Sequence, residues 1–207
     1  MRVILSEREI MDKKNKGLII GAVVAGLLLL TGIGSYNGLV KERETVESAI
    51  NTLESQYQRR SDLVPNLVAT VKGSVNFEEK TLTKVIEARA KATQVSLNMN
   101  DLTEENLAKY QAAQNQLSSS LSRLMAVAEN YPELKSTKAF QDLMPQLEGT
   151  ENRIQVARAD YGEIVKKYNS KIKSFPTNLM AGMFGFKEYP YFKSDSNAVP
   201  KIEFNFN

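Results

Sequence analysis

The side chains best placed to do chemistry are Gln56, Arg60, Gln114, Glu151 and Arg158, because they fall on or beside stripes that otherwise repeat apolar residues at a spacing of three and four. A carboxylate or guanidinium taken out of water is costly unless it finds an opposite charge and further hydrogen bonds. Glu151 fills the gap between Leu147 and Ile154, with Asn152, Arg153 and Arg158 beside it. Arg60 is its expected partner, with Gln56 or Gln114 taking the remaining lone pairs. Such a layer admits two readings. It fixes helix register, as buried polar groups can, or its carboxylates and nearby Tyr residues form a catalytic or metal site.

The composition weighs against the second reading. The 207 residues include no His, no Cys and no Trp. Zinc sites built on His or Cys, Ser-His-Asp and Cys-His nucleophile systems, iron–sulfur clusters and disulfides therefore lack their reactive atoms. A di-iron centre of the kind helical bundles build needs Glu-x-x-His from two helices. No cofactor, no metal and no enzymatic activity are expected. Glu78-Glu79 and Glu104-Glu105 read as helix-start residues favoured by the helix dipole.

The elements that must position the polar layer are helices. A first one, about 37–73, carries Tyr36, Leu39, Val46, Ile50, Leu53, Tyr57, Val64, Leu67 and Val71, and Pro65 is expected to kink or split it near Asp62. A second starts from Asn76-Phe77-Glu78-Glu79 and ends near Asn98. A third opens at Asp101-Leu102-Thr103-Glu104 and stops before Pro132. A fourth runs from about Ser136 to Ser174, with Pro145 threatening its first turns. The only strand-like alternation is Lys201 to Phe206. Four amphipathic helices with short connections imply an antiparallel up-and-down four-helix bundle with long helices, in an all-α protein.

Ahead of the bundle, Gly17 to Gly34 reads GLIIGAVVAGLLLLTGIG, and no charge appears before Lys41. That length suits a hydrocarbon core of about 30 Å and exceeds the apolar region of a signal peptide. Arg2, Arg8, Lys13, Lys14 and Lys16 precede the span, against Lys41 and Arg43 just beyond it, which predicts a cytoplasmic N-terminus and an extracytoplasmic bundle. The chain divides into a short N-terminus at 1–16, a transmembrane helix at 17–38, the bundle at 39–175 and an irregular aromatic tail at 176–207. Gly17/Gly21, Ala22/Gly26 and Gly34/Gly38 are small-residue pairs four apart that suit packing against a second anchor in a homo-oligomer. Twenty-two basic and 21 acidic residues beyond position 16 leave a net of +1, no footprint of a nucleic-acid binder.

An up-and-down path of four helices returns the fourth to the membrane end. There stand Phe175, Met183, Phe184, Phe186, Tyr189, Tyr191 and Phe192, among Lys166, Lys167, Lys171, Lys173, Lys187 and Lys193. Two readings stay open for them: a plug over the open bundle end, or contact with the headgroup layer.

Gln58-Arg59-Arg60-Ser61-Asp62-Leu63-Val64-Pro65-Asn66-Leu67-Val68, followed by Val71-Lys72-Gly73, resembles the first signature of the bacterial LemA family. Tyr131-Pro132-Glu133-Leu134-Lys135 resembles its central motif. Glu148-Gly149-Thr150-Glu151-Asn152-Arg153-Ile154, Ala157-Arg158, Tyr161, Tyr168-Asn169 and Phe175-Pro176 resemble its third, and Ala181-Gly182, Phe184-Gly185-Phe186 and Phe192 its tail. The likeness spans about residues 17–193. It implies a single-pass membrane protein with a long-helical exterior domain, places Arg60 and Glu151 within family motifs, and supplies no reaction. It also suggests a membrane protease as a partner. The chain departs at Ser74, Phe77 and Pro145, where members more often carry an aromatic, a His and a Glu; a site relying on a His at 77 is not expected. These readings together point to a membrane-anchored helical scaffold or adaptor of the envelope, with coiled-coil-like packing. The alternative is a ligand- or ion-binding module using the polar layer.

Overall fold

The computed structural model describes residues 2–73 and 78–193. Every regular element in them is helical: α1 (Arg2–Lys72), α2 (Glu79–Gln94), a 3-10 turn (Met99–Asp101), α3 (Glu104–Ala128), α4 (Pro132–Ser136), α5 (Lys138–Lys173) and α6 (Thr177–Phe184). The Asn76 cap and the alternation at 201–206 lie outside the described residues.

Helix α1 is not split at Pro65 but continues through it to Lys72. A proline lacks the N–H that would bond the carbonyl four residues back, here that of Ser61, a buried residue. Arg89 Nε from α2 donates to Ser61 O at 2.8 Å and takes the place of the missing donor. Pro145 likewise sits inside α5. The carbonyl that loses its in-helix donor belongs to Gln141, an exposed residue in the first turn, where water can serve as donor.

Helix starts follow their caps. Thr103 rather than Asp101 caps α3, its side chain accepting from Asn106 N at 3.2 Å. Pro132 sits at the first position of α4, where its missing N–H costs nothing. Thr137 then turns extended and accepts from Phe140 N at 3.4 Å, so the helix expected from about Ser136 starts at Lys138, and α4 is a short additional helix where a connection was expected. The segment after Pro176, expected to be irregular, begins with α6. Its Asn, Leu, Met and Ala residues continue a helix until Gly185, whose φ of 72° is the left-handed conformation a glycine adopts without strain. Phe186 N reaches back to Ala181 O at 3.0 Å to close it.

Contacts group the chain into two compact units, one of residues up to Glu44 with Lys167–Glu188, the other of Thr45–Lys166 with the chain from Tyr189 on. Helices α1 and α5 contribute to both, so neither unit is a continuous stretch. The second unit holds the larger core. Val64, Leu67 and Val71 of α1 pack with Leu82, Val85 and Ala88 of α2, Leu117, Leu121 and Leu124 of α3, and Phe140 and Leu147 of α5. Leu53 and Tyr57 meet Tyr110, Ile154 and Ala157 in a second cluster. The first unit buries Leu39, Tyr168, Ile172 and Ala181.

Within α1, one stretch near its N-terminal end is long and apolar enough to cross a membrane, and only 6% of it is buried. Leu18, Ile19, Val23, Val24, Leu27, Leu30 and Ile33 are all exposed.

Candidate functional site

Arg60 follows Tyr57 and precedes Val64 on the inward stripe of α1, and only 1% of it is exposed. Its Nη1 donates to Glu151 Oε1 at 2.8 Å and to Ser118 Oγ. Its Nη2 donates to Gln114 Oε1 at 2.6 Å and to Gln114 O at 3.1 Å. Ser118 Oγ in turn donates to Glu151 Oε1 at 3.0 Å, so the serine bridges the cation and the carboxylate. Gln114 Nε2 reaches Ala92 O at 3.3 Å. One guanidinium thus links α1 to α3 and α5 directly, and to α2 through Gln114.

Arg60 Nε alone has no hydrogen-bond partner among the described residues. The group lies over the Tyr57 ring, Cζ 5.1 Å from its centroid, within the range of a cation–π attraction. Tyr57 meets Tyr110 edge-on at 5.5 Å. Burial, then the charges of Tyr57 and Glu54, push the Tyr110 phenol well above its ordinary range, so it stays a neutral hydroxyl.

Of the five polar residues singled out in the sequence, Arg60, Gln114 and Glu151 come together, and Gln56 and Arg158 do not. Gln56 is half-buried; its Nε2 reaches only Ser55 Oγ, at 3.4 Å, and its Oε1 is buried without a partner. Arg158 lies about two turns beyond Glu151 on α5. It packs over Phe192 at 5.2 Å and donates to Lys193 O at 3.3 Å. Ser118 was missed by sequence reasoning, although it follows Gln114 by four residues and so shares its face.

The aromatic residues of the tail divide between the two units. Phe175, Met183, Phe184 and Phe186 belong to the first, where Phe184 and Phe186 flank Tyr36 at 4.7 and 5.9 Å. There Glu42 takes Lys167 and Lys171 at 3.2 and 3.3 Å, and Lys171 also caps Gly38 O. Burial would raise the Glu42 carboxyl, but the two ammonium groups outweigh it and hold the carboxyl below its ordinary range. Tyr189, Tyr191 and Phe192 belong to the second unit. Gln111 fastens that strand of chain as a neighbouring backbone would, donating to Lys193 O at 2.7 Å and accepting from Lys193 N at 3.0 Å. Tyr161 adds a bond to Pro190 O at 2.8 Å and an edge contact with Phe192. A half-open groove of about 490 Å³ runs beside the polar layer, lined by Ser118, Ser122, Glu148, Glu151 and Asn152 among others. Among the described residues no three carboxylates gather closely enough to hold a metal ion.

The LemA family profile matches residues 49–204, which takes in every member of the polar layer. Protein LemA of Metamycoplasma hominis is 24% identical over 156 residues, 75% of this chain and 68% of its own length. Magnetosome protein MamQ 2 of Paramagnetospirillum magneticum is 25% identical over 193 residues, covering 85% of this chain and 71% of its own. Magnetosome protein MamQ of Magnetospirillum gryphiswaldense is 24% identical over 174 residues, 76% and 64% of the two chains. By the extent of that match the chain belongs to the LemA family.

Proposed function

We propose that this protein is a membrane-anchored helical scaffold of the bacterial envelope, built as an antiparallel four-helix bundle on a single span, which works through self-association or protein partners and not by catalysis. The observation that supports this most is the commitment of Arg60. Both Nη nitrogens are bonded to Gln114, Ser118 and Glu151, so this buried cation ties helices together, and only its Nε–H is left without a partner among the described residues. A layer of this kind selects one register among the many that an apolar core alone would accept. The anchor supplies an association surface, because a Cβ added at Gly21, Gly26 or Gly34 would meet nothing within 4 Å and a second helix can approach there. Gly38 differs, since Lys171 Nζ lies 3.2 Å from such a Cβ. Cross-linking followed by mass spectrometry in the native membrane tests the reading. A ladder of homo-oligomers or one recurring membrane protein, an envelope protease among the candidates, is expected. Recovery of the monomer alone at every linker length overturns it.

The groove beside Glu151 favours a second reading, a binding module for a small cationic ligand or an ion. Glu151 keeps 31% of its side chain exposed there, and Glu148 stands one turn away. That reading requires a thermal shift when divalent cations or small amines are added, lost in Glu148→Gln.

A further inference from the structure

Helix α6 is apolar, and its partners are residues of the span itself. From Pro176 to Phe186 there is no charged side chain. Met180 Cε stands 3.3 Å from where a Cβ on Gly32 would be, and the Tyr36 ring takes Phe184 and Phe186. Gly32 and Tyr36 both precede Lys41, the first charge after the span. At 1.5 Å per residue Gly32 lies roughly 13 Å below Lys41 along the helix axis. A helix packed at that level is below the charged rim of the anchor. Yet its other side is bare. Phe175 is 81% exposed, Met183 70%, Leu179 58% and Phe184 55%, with Leu179 and Met183 four residues apart on one face of α6.

The charges around α6 sit at its two ends. Lys173 precedes it and pairs with Glu188 beyond it at 2.7 Å, Lys187 is exposed at the far end, and Lys171 is bonded to Gly38 O. An apolar face flanked by lysines and held against a membrane span has the makeup of an interfacial helix, whose apolar side sinks about 5–10 Å into the boundary between headgroups and acyl chains. A protein partner would have to reach below the first charge of the anchor to cover the same face, where lipid already is.

We propose that α6, with Phe175 before it and Phe186 after it, is a second membrane-contacting element that dips into the leaflet at the Lys41 end of the span. The occupant of its bare face is lipid. Two attachments, the span and α6, then hold the first unit against the bilayer, where a lone helix would leave it free to swivel. This rests on the reading that residues 17–38 cross a membrane.

The natural chain has no cysteine, so the full-length protein can carry one environment-sensitive label at a time. Four variants, Met183→Cys, Leu179→Cys, Leu27→Cys and Val156→Cys, are reconstituted in vesicles of phosphatidylcholine with phosphatidylglycerol. Fluorescence loss is read with nitroxide near the lipid headgroup, with nitroxide near the acyl end, and with aqueous iodide. Labels at 183 and 179 are expected to lose several-fold more signal to the shallow nitroxide than to iodide. The label at 27 should respond most to the deep nitroxide, and the label at 156, on an exposed residue of the second unit, to iodide alone. With 27 behaving as a span residue, iodide quenching at 183 and 179 equal to that at 156 overturns the proposal, and so does silence to all three quenchers, which marks a protein contact. Iodide quenching at 27 removes the anchor and this inference with it.

Discussion

At the residue scale the guanidinium of Arg60 and the carboxylate of Glu151 are unequal partners. Arg60 is 1% exposed and cannot give up its proton, whereas Glu151 is 31% exposed and can be rehydrated. Removing the carboxylate strands a charge inside the protein; removing the cation leaves a carboxylate that water can reach. Glu151→Leu is therefore expected to cost about 3–5 kcal/mol of stability, and Arg60→Met about 1–3 kcal/mol, chiefly from the unsatisfied Gln114. The double variant should lose about 1–3 kcal/mol less than the sum of the two. Chemical denaturation of the full chain in detergent measures all three, and additive losses would refute a direct pair. The pairing was legible in the sequence because both residues interrupt apolar stripes. Gln56 interrupts one too and yet stays out, since it precedes Arg60 by a full turn and its amide does not reach α3. Arg158 was drawn in by nearness in sequence to Glu151, but seven residues along a helix is two turns, about 10 Å. The Phe192 ring and the Lys193 carbonyl, not the layer, are what lie within its reach. Ser118 escaped notice because a serine on a half-buried face is ordinary until a charge is placed opposite.

At the element scale the helix periods were readable and the interruptions were not. Val46 to Val71 on α1 is buried at the spacing the sequence displays, whereas the split that Pro65 suggested near Asp62 is absent. A proline's local penalty can be met by a donor from another helix, and nothing in one segment announces that donor. The Arg89–Ser61 bond makes the compensation testable. Pro65 is exposed, so Pro65→Ala restores the N–H to Ser61 O without disturbing the core. Arg89→Met in the natural background should cost about 1–3 kcal/mol by leaving a buried carbonyl unpaired. In the Pro65→Ala background the same change should cost only a fraction of that, because the helix then supplies its own donor. An equal cost in both backgrounds would mean that Arg89 acts by packing and that the carbonyl is satisfied otherwise. The short helices α4 and α6 were hidden for a related reason. Thr137 and Gly185 are the residues that end or begin helices there, but Thr and Gly also occur within helices, and only the neighbouring turns decide which role each takes.

At the scale of the whole molecule, orientation across the membrane rests on a small number of charges. Five Lys and Arg residues precede the span, and two follow it as far as Ser55. Acidic residues weigh little in this bias, so Glu7, Glu9 and Asp12 do not cancel it. The difference of three is the argument for a cytoplasmic N-terminus, and it can be erased by substitution. Changing Lys13, Lys14 and Lys16 to Gln leaves Arg2 and Arg8 against Lys41 and Arg43, two on each side. Single cysteines read the result with a membrane-impermeant maleimide. With the natural charges, Ser119→Cys should label in intact cells and Ser6→Cys only after lysis. In the triple-Gln background the two sites should each label in part, as the chain inserts in both directions. Ser6→Cys labelling in intact cells with the natural charges would invert the topology. An unchanged pattern after charge removal would instead mean that the Lys/Arg difference across the span does not set the orientation.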